Sequence, residues 1–236
     1  MTDIFIVGAG GHGRVVLDIV RSGKHFNPVG FLDNNARLHG RRVDGLPVLG
    51  GMERLDDLRQ RGIGGGIVAI GDNGARRELA GTAEEHGFTL VNAVHPAAQL
   101  ASSVALGKGV VIAAGAVICA HCQIGDYAII NTGAIVDHES MIGTAVHVCP
   151  GVRLAGHVTV DSGAFIGIGS TVVQKIRIGF EAVVGAGAVV VRDVDPMTTV
   201  VGVPARTVKD ARTTDEFASL LAATLGPREP VQAAHM

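Results

Sequence analysis

The chain has 236 residues, of which 47% are apolar, and a formal charge of -2 at pH 7. That length and apolar content suffice for one large or two modest folded domains. A chain so close to neutrality lacks the broad basic field that binding to a phosphate backbone needs, so we expect no nucleic-acid partner. The first residues do not form a basic, cleavable leader, and no apolar run reaches membrane-spanning length. These features predict a cytoplasmic protein with no membrane partner.

Three cysteines stand at positions 119, 122 and 149. Cys119 and Cys122 have the spacing of half a zinc site, but no second pair completes it. We interpret all three as small packing or surface residues and expect no metal. The 34 glycines and the absence of tryptophan favour a fold of narrow repeated turns that leave no room for large rings.

Residues 1–92 alternate short apolar runs with amphipathic segments. The runs predict β-strands at residues 4–7, 29–32, 47–49, 67–70 and 89–91. The amphipathic segments predict α-helices at residues 14–22, 52–61 and 75–86. Alternating strands and helices are typical of a parallel sheet with helices on its faces, here about half the size of a full dinucleotide-binding fold. We therefore expect a half-Rossmann-like α/β domain over residues 1–92.

An aliphatic residue recurs at every sixth position from Leu100 to Val190. The sixteen residues in this register are Leu100, Leu106, Ile112, Ile118, Ile124, Ile130, Val136, Ile142, Val148, Leu154, Val160, Ile166, Val172, Ile178, Val184 and Val190. The residue four positions after each of them is small or aliphatic, as at Ala116 and Ser140. Such hexads predict a parallel β-helix whose stacked coils place two side chains of each hexad inside.

The hexad register breaks at Pro196, and a short closing segment follows. We expect the β-helix domain with this segment to span residues 98–208. An amphipathic pattern at residues 214–225 predicts a short C-terminal helix with Thr213 or Thr214 as its N-cap. Residues 209–236 are thus expected to form a third region, a helix followed by a disordered tail.

A glycine-rich loop follows the first predicted strand and opens the first predicted helix. Its glycines, Gly8, Gly10 and Gly13, have the spacing G-x-G-x-x-G, which lets the backbone approach a phosphate at a helix N-terminus. Asp33 ends the second strand, where an acidic residue can meet a ribose hydroxyl. Three interpretations stay open: a nucleotide-linked sugar, a nicotinamide cofactor, or a tight turn without a ligand. The half-sized domain and the repeat behind it favour the nucleotide-linked sugar.

Several motifs point together to one family over residues 4–208. They are GAGGHG at 8–13, FLDN at 31–34, AIGDN at 69–73 with Arg76, His95-Pro96, and NTGAIVDHE at 131–139. The combination resembles the hexapeptide-repeat acyltransferases of nucleotide sugars, a group with sialic acid O-acetyltransferases (NeuD-like) and UDP-4-amino-sugar N-acetyltransferases (PglD-like). The resemblance implies a left-handed β-helix of three hexads per coil and acetyl-CoA as co-substrate.

The same resemblance assigns binding residues. It places the nucleotide sugar in the N-terminal domain and coenzyme A between the β-helices of two subunits in a homotrimer. The residues that bind the acetyl donor would then serve the base of a neighbouring subunit. The implied substrate-binding residues are Gly10, Gly11, His12, Asp33, Asn34, Gly71, Asn73 and Asn131. The implied acetyl-CoA-binding residues are His147, Gly156, Ile168, Ala186 and Arg206.

The segment VDHES at residues 136–140 carries the candidate chemistry. An amine or hydroxyl that attacks a thioester loses a proton, and a histidine is a suitable general base near neutral pH. A neighbouring carboxylate can orient its imidazole and stabilise the charged form. We therefore predict His138 as the base and Glu139 as its partner.

An 18-residue coil predicts the neighbours of this pair. His138 would lie between Ala120 and Gly156, and Glu139 would lie between two histidines, at positions 121 and 157. The small neighbours leave space for a substrate beside His138. The backbone N–H of Gly156 would then be placed to stabilise the thioester oxygen, a role that the family resemblance also implies.

We predict direct transfer of an acetyl group to the amine of a nucleotide-linked amino sugar. O-acetylation of a sialic-acid-type sugar and a non-catalytic nucleotide-sugar-binding scaffold remain alternatives. Without the repeat around it, a His-Glu pair is more often a solvated polar pair on a coil corner than a catalytic one. A zinc-dependent β-helix enzyme would need an H-x₄-H pair, which the sequence lacks. Ser140 falls on an inward position and is a poor nucleophile candidate. The nucleotide stays open among UDP, GDP, dTDP and CMP.

Overall fold

The computed structural model describes residues 1–210, an α/β domain followed by a parallel β-helix. The predicted fold class, a half-Rossmann-like domain before a left-handed β-helix, is confirmed. The helix predicted at residues 214–225 lies outside the described residues. Within residues 1–210, no helix has the length and apolar character needed to cross a bilayer.

The N-terminal domain is a six-stranded sheet with helices on both faces. Its elements are β1 (Thr2–Val7), α1 (Gly11–Gly23), β2 (Phe26–Leu32), a 3₁₀ turn (Ala36–Leu38), β3 (Arg42–Val43), β4 (Leu46–Gly50), a second 3₁₀ turn (Met52–Arg54), α2 (Leu55–Gln60), β5 (Gly65–Val68), α3 (Asn73–Glu85) and β6 (Thr89–Leu90). The strand order is β3-β4-β2-β1-β5-β6, parallel except for the β3–β4 hairpin. All the predicted strands and helices are present, and only the short β3 and the first 3₁₀ turn had no sequence signal.

Alternate residues of the central strand β1 serve two cores. Ile4 and Ile6 pack on the α1 side, and Phe5 and Val7 pack on the side of α2 and α3. The α1 core continues into the β-helix, because it includes buried residues of its strands such as Ile129. The two domains therefore share a continuous apolar interface.

The β-helix consists of two-residue strands at intervals of six residues. Strands β7 to β23 are Ala93–Val94, Gln99–Leu100, Ala105–Leu106, Val111–Ile112, Val117–Ile118, Gln123–Ile124, Ile129–Ile130, Ile135–Val136, Met141–Ile142, His147–Val148, Arg153–Leu154, Thr159–Val160, Phe165–Ile166, Thr171–Val172, Arg177–Ile178, Val183–Val184 and Val189–Val190. Each strand from β7 to β20 pairs in parallel with the third strand after it, as Val111 does with Ile129, so one coil contains 18 residues. Every hexad residue from Leu100 to Val190 is the second residue of its strand, with its side chain inside.

The interior of the β-helix contains only aliphatic, alanine and cysteine side chains among its buried hydrophobic residues. The intervening small residues are inside as well, and Ala116 and Ser140 are fully buried. Two inward side chains per hexad fill the narrow tube, which explains why the sequence has so few aromatic residues.

The last coil is shorter than the others. Ile178 pairs with Val194 and Val184 pairs with Val200, at intervals of 16 residues instead of 18. This shift accommodates the register break that the sequence shows at Pro196. Strand β24 (Thr198–Val201) then pairs antiparallel with β25 (Arg206–Asp210) and closes the helix.

The coils form a three-sided prism. The first face contains β7, β10, β13, β16, β19 and β22, the second contains β8, β11, β14, β17, β20 and β23, and the third contains β9, β12, β15, β18 and β21. The N-terminal domain covers the first face, where the outward residues Val111, Ile129 and His147 are buried. The corner between the second and third faces therefore lies opposite the N-terminal domain.

A fully buried arginine on α3 connects the two domains. Arg76 donates to the carbonyl oxygens of Tyr127 and Ala145, both at 2.8 Å, on the corner between the third and first faces. It also donates to Ile70 O at 2.9 Å and to Asn73 Oδ1 at 2.8 Å in its own domain. Burial lowers the pKa of Arg76 to about 10, so the guanidinium stays charged at pH 7.

We expect Arg76→Met to destabilise the protein by at least about 3 kcal/mol, because it leaves several buried carbonyl oxygens without a donor. The adjacent arginine is a matched control: Arg77 makes only an exposed ion pair with Glu181 at 3.6 Å, so Arg77→Met should cost about 1 kcal/mol or less. Urea denaturation followed by circular dichroism measures both changes. Equal losses of stability in the two variants would contradict the interdomain role of Arg76.

Candidate active site

The predicted base lies on the corner between the second and third faces of the β-helix. Backbone bonds from Glu139 N to Ala120 O and from His157 N to His138 O, each 2.9 Å, stack the three coils there. His138 therefore lies between Ala120 and Gly156, as the 18-residue period predicts. Because these bonds belong to the coil ladder, the side chains project from a rigid backbone.

The imidazole of His138 is oriented by two neighbours. Its Nδ1 lies 3.0 Å from Glu139 Oε2, and its Nε2 lies above Gly156, where a Cβ atom would be only 2.5 Å away. Since a carboxylate only accepts hydrogen bonds, neutral His138 carries its proton on Nδ1 and has a free lone pair on Nε2. The side chain is 50% exposed, so a substrate can reach this nitrogen.

Gly156 is itself placed for a polar contact. The residue is buried beneath the ring of His138, and its N–H donates no hydrogen bond within residues 1–210. An N–H without a hydrogen-bond acceptor in the described chain, on a residue packed against the His138 ring, is a suitable donor to an oxygen that becomes negative. Any side chain at position 156 would occupy this space.

Glu139 also contacts a second histidine. Its Oε2 lies 3.1 Å from His157 Nε2, and the rings of His138 and His157 meet edge to face at 5.2 Å. Glu139 lies between the coil positions of His121 and His157, as the period predicts, but among residues 1–210 its ion pairs are with His138 and His157 and not with His121. Asp137 accepts a hydrogen bond from His138 N at 2.8 Å, which lowers the pKa of the Asp137 carboxyl.

The glycine loop connects β1 to α1 as predicted. Gly8 has a φ of +99°, and a Cβ atom on Gly13 would overlap Gly8 O, so helix and strand pack closely. Gly10 and Gly11 have open space around their Cα atoms at the N-terminus of α1. Asp33 accepts hydrogen bonds from Ala9 N and Asn35 N, both at 2.8 Å, and thereby holds this loop.

His147 faces the N-terminal domain from the first face of the β-helix. Thr132 N donates to Asn131 Oδ1, so the Asn131 amide nitrogen faces His147 Nε2 at 3.2 Å and donates to it. Nδ1 of His147 must then carry the proton and donate to Gly71 O at 3.2 Å. Both ring nitrogens are used within this chain, and neither is free for a thioester.

His12 lies beside His147, with 6.2 Å between ring centres. Burial is the main cause that lowers the pKa of each imidazole to about 4, so both are neutral at pH 7. Nε2 of His12 is buried without a hydrogen-bond partner among residues 1–210. This orphaned nitrogen is a position where a bound ligand or water can bond.

Asn73 and Asn34, both predicted to bind substrate, have different contacts in the structure. The amide nitrogen of Asn73 donates to Gly163 O at 2.9 Å and to Ala164 O at 3.1 Å, while its oxygen accepts from Arg76. Asn73 therefore serves the domain interface. Asn34 is exposed near the glycine loop and remains available to a ligand.

Of the predicted acetyl-CoA-binding residues, Gly156 lies beneath the base, whereas Ile168, Ala186 and Arg206 lie away from it. Ile168 and Ala186 are exposed on the corner between the first and second faces, and Arg206 is exposed on β25, where it donates to Ala205 O. The structure thus joins Gly10, Gly11, His12, Asp33, Gly71, Asn131 and His147 on the side of the N-terminal domain. His138, Glu139 and Gly156 form a second cluster on the opposite corner.

Comparisons with known proteins decide the family. Residues 3–83 match the family described as the PglD N-terminal domain. PerB from Caulobacter crescentus, solved with CoA and GDP-perosamine, is 43% identical with a TM-score of 0.84, and the match covers 89% of this chain and 98% of that one. This chain belongs to the PglD-like family of hexapeptide-repeat acetyltransferases.

Two other members of this PglD-like family support the assignment. The acetyltransferase domain of PglB from Neisseria gonorrhoeae, solved with acetyl coenzyme A, is 33% identical with a TM-score of 0.82, over 87% of this chain and 98% of that one. GDP-perosamine N-acetyltransferase from Escherichia coli O157:H7 is 29% identical over 77% of this chain and 82% of its own length. The expected co-substrate class, acetyl-CoA, is confirmed for the family.

We expect Gly156→Ala to lower kcat for acetyl transfer by about a hundredfold, since the new methyl group displaces the His138 ring and a shift of about 1 Å has an effect of that size. Gly81→Ala is the matched control, because Gly81 lies on α3 with open space around its Cα. It should leave kcat unchanged. If Gly156→Ala folded normally and kept full activity, the packing of His138 against Gly156 would have no catalytic role.

Proposed function

We propose that the chain transfers the acetyl group of acetyl-CoA to the amino group of a GDP-linked amino sugar. The observation that carries this proposal is the His138 imidazole, whose Nδ1 faces Glu139 at 3.0 Å while Nε2 stays free beside Gly156. That arrangement is a general base with a defined tautomer. The solved relatives support the substrate class, because perosamine N-acetyltransferase was crystallised with GDP-perosamine.

The reaction needs one proton acceptor and one anion stabiliser. The sugar amine attacks the thioester carbonyl carbon, and its proton passes to Nε2 of His138. Glu139 stabilises the imidazolium that forms, and the N–H of Gly156 donates to the carbonyl oxygen as it becomes negative. The C–S bond then breaks, the amide forms, and the imidazolium returns its proton to the leaving thiolate. No covalent acyl-enzyme is required.

Two variants of the solved Caulobacter protein support a role for a histidine in this family. A histidine was replaced by asparagine in one and by alanine in the other, and both were crystallised with CoA and GDP-perosamine. CoA and GDP-perosamine thus still bind when that side chain is replaced in the relative. A base that acts on the amine but contributes little to binding has this property.

The N-terminal domain offers a suitable place for the nucleotide. The N-terminus of α1 presents backbone N–H groups beside Gly10 and Gly11, which suits a diphosphate. Asp33 and Asn34 follow β2 at the same edge of the sheet, where hydroxyl groups of a ribose would meet them. His12, with its unpartnered Nε2, supplies a further polar contact to the bound ligand.

We expect His138→Ala to lower kcat by about two to four orders of magnitude while the GDP-sugar still binds. His25→Ala is the matched control, because His25 is an exposed histidine outside both clusters, and it should keep full activity. Transfer to GDP-perosamine is measured chromatographically, and binding is measured by thermal shift with GDP, UDP, dTDP and CMP. GDP should give the largest shift. If the GDP-sugar binds but no acetyl transfer that requires His138 is detected, the protein is a scaffold instead of an enzyme.

We further propose that the working form is a homotrimer with sites between subunits. In one chain the N-terminal domain covers the first face, whereas His138 lies on the opposite corner. Ile168 and Ala186 lie on yet another corner. A nucleotide sugar held by the loop at Gly10 and Gly11 therefore reaches a base only if a neighbouring chain supplies it.

Mixed oligomers test this arrangement. Gly11→Asp places a carboxylate in open space at the N-terminus of α1, where it repels a diphosphate without a steric clash, and His138→Ala removes the base. Each variant alone should be inactive. Co-expressed with different tags and purified as mixed oligomers, they should recover activity, because some sites combine an intact loop with an intact His138. If mixed oligomers form but stay inactive, each site belongs to a single chain.

A further inference from the structure

Three metal-ligating side chains meet at the second–third corner. His138 Nδ1, Glu139 Oε2 and His157 Nε2 all lie within 4.8 Å of one another. The carboxylate oxygen is 3.0 Å from the first nitrogen and 3.1 Å from the second. No other group of three or more such residues with this spacing occurs within residues 1–210.

We propose that His138, Glu139 and His157 form an inhibitory site for a divalent transition-metal ion, with Zn²⁺ as the best match. Two imidazole nitrogens and one carboxylate oxygen are ligands that zinc prefers, whereas magnesium and calcium prefer oxygen. The ion is a regulator that competes with catalysis, and the proposed transfer reaction does not use it.

Side-chain adjustments alone can bring the three donors to the spacing that the ion needs. Zinc binds such donors at about 2.0–2.2 Å, so two ligands of a tetrahedral site lie roughly 3.4 Å apart. The two separations from Glu139 Oε2, 3.0 and 3.1 Å, need to widen by only a few tenths of an ångström, and the two imidazole nitrogens lie within 4.8 Å of each other. The side chains are 50%, 50% and 46% exposed, so an ion can enter from solvent and keep a water as its fourth ligand.

The backbone holds these donors in place before any ion binds. Glu139 and His157 both adopt left-handed φ values, of 56° and 59°, on successive coils. The bond from His157 N to His138 O at 2.9 Å fixes the spacing of those coils. A preformed set of donors loses less conformational entropy on binding than three independent side chains do.

Inhibition follows from the tautomer of His138. A neutral imidazole carries one proton, and a metal ion on Nδ1 requires that proton to move to Nε2. The lone pair that would accept the proton of the sugar amine is then absent. The ion also occupies Glu139 and removes the hydrogen bond that orients the base. This inhibitory effect rests on the proposed function, but the binding itself does not.

Metal binding can be measured without activity. The protein is treated with EDTA, the chelator is removed, and Zn²⁺ is titrated calorimetrically at pH 7.5 in the absence of CoA, whose thiol itself binds zinc. We expect one Zn²⁺ per chain, and we expect Co²⁺ to give visible absorption bands of a low-coordinate nitrogen–oxygen site. His157→Asn should weaken zinc binding by at least about tenfold. Mutating a residue that only hydrogen-bonds to a metal ligand already costs about that much, and His157 is itself a proposed ligand.

Two controls separate this site from others. His25→Asn removes an exposed histidine elsewhere, and Cys119→Ser removes the thiol that hydrogen-bonds to Asp137 near the same corner. Both variants should bind zinc like the unchanged protein. Absence of binding, or equal binding by His157→Asn, overturns the proposal.

Activity then links the site to catalysis. Micromolar Zn²⁺ should lower the rate of acetyl transfer reversibly, EDTA should restore it, and His157→Asn should need about ten times more zinc for the same fractional inhibition. Zinc binding that leaves the rate unchanged overturns the inhibitory role. If zinc binds but the protein transfers no acetyl group, the proposed function fails while the metal site stands.

Discussion

The buried guanidinium of Arg76 is the contact on which the arrangement of the two domains depends. It has no carboxylate within ion-pair distance in the described chain, and its charge is balanced by carbonyl oxygens from both domains. Carbonyl groups at fixed positions in a β-helix corner and at the start of α3 leave the α/β domain little freedom to rotate. The loop at Gly71 is therefore held against His147, and the glycine loop is held beside it. A site assembled from two domains needs such a fixed junction.

The β-helix contributes regularity, and function occupies positions that its packing leaves free. The inward residues of each hexad are determined by the narrow interior, so only outward faces and corners can vary. On the first face, outward residues are apolar or bond to the N-terminal domain. On the corner between the second and third faces they include a cluster of charged and imidazole side chains, with Gly156 beneath His138. Residues that are 18 positions apart stack on successive coils at the same corner. A few substitutions at such stacked positions therefore suffice to build a cluster of polar side chains.

The sequence predicted most of the fold, and the reasons are local. Hexad periodicity and strand–helix alternation are short-range patterns, and they located every strand from β8 to β23. The stacking of His138 between Ala120 and Gly156 followed from the same period. Side-chain partners across domains have no such period. The use of Asn73 and His147 at the interface, and the hydrogen bonds of Arg76 to the β-helix, depend on how two separately folded surfaces meet. The motif at residues 69–73 indicated a functional segment, but it did not show that Gly71 and Asn73 contact the β-helix.

Backbone conformation at the corners explains why Glu139 is well placed. Each corner has a residue in the left-handed region, and on the first–second corner it is glycine, at Gly115, Gly133, Gly151, Gly169 and Gly187. On the second–third corner the same position holds side chains that disfavour this conformation, at His121, Glu139, His157 and Lys175. Each non-glycine residue there costs about 1 kcal/mol. The rigid coil tolerates that strain, and the left-handed backbone lets the Glu139 carboxylate reach both imidazoles. One carboxylate thus fixes the tautomer of the base and completes the set of donors around it.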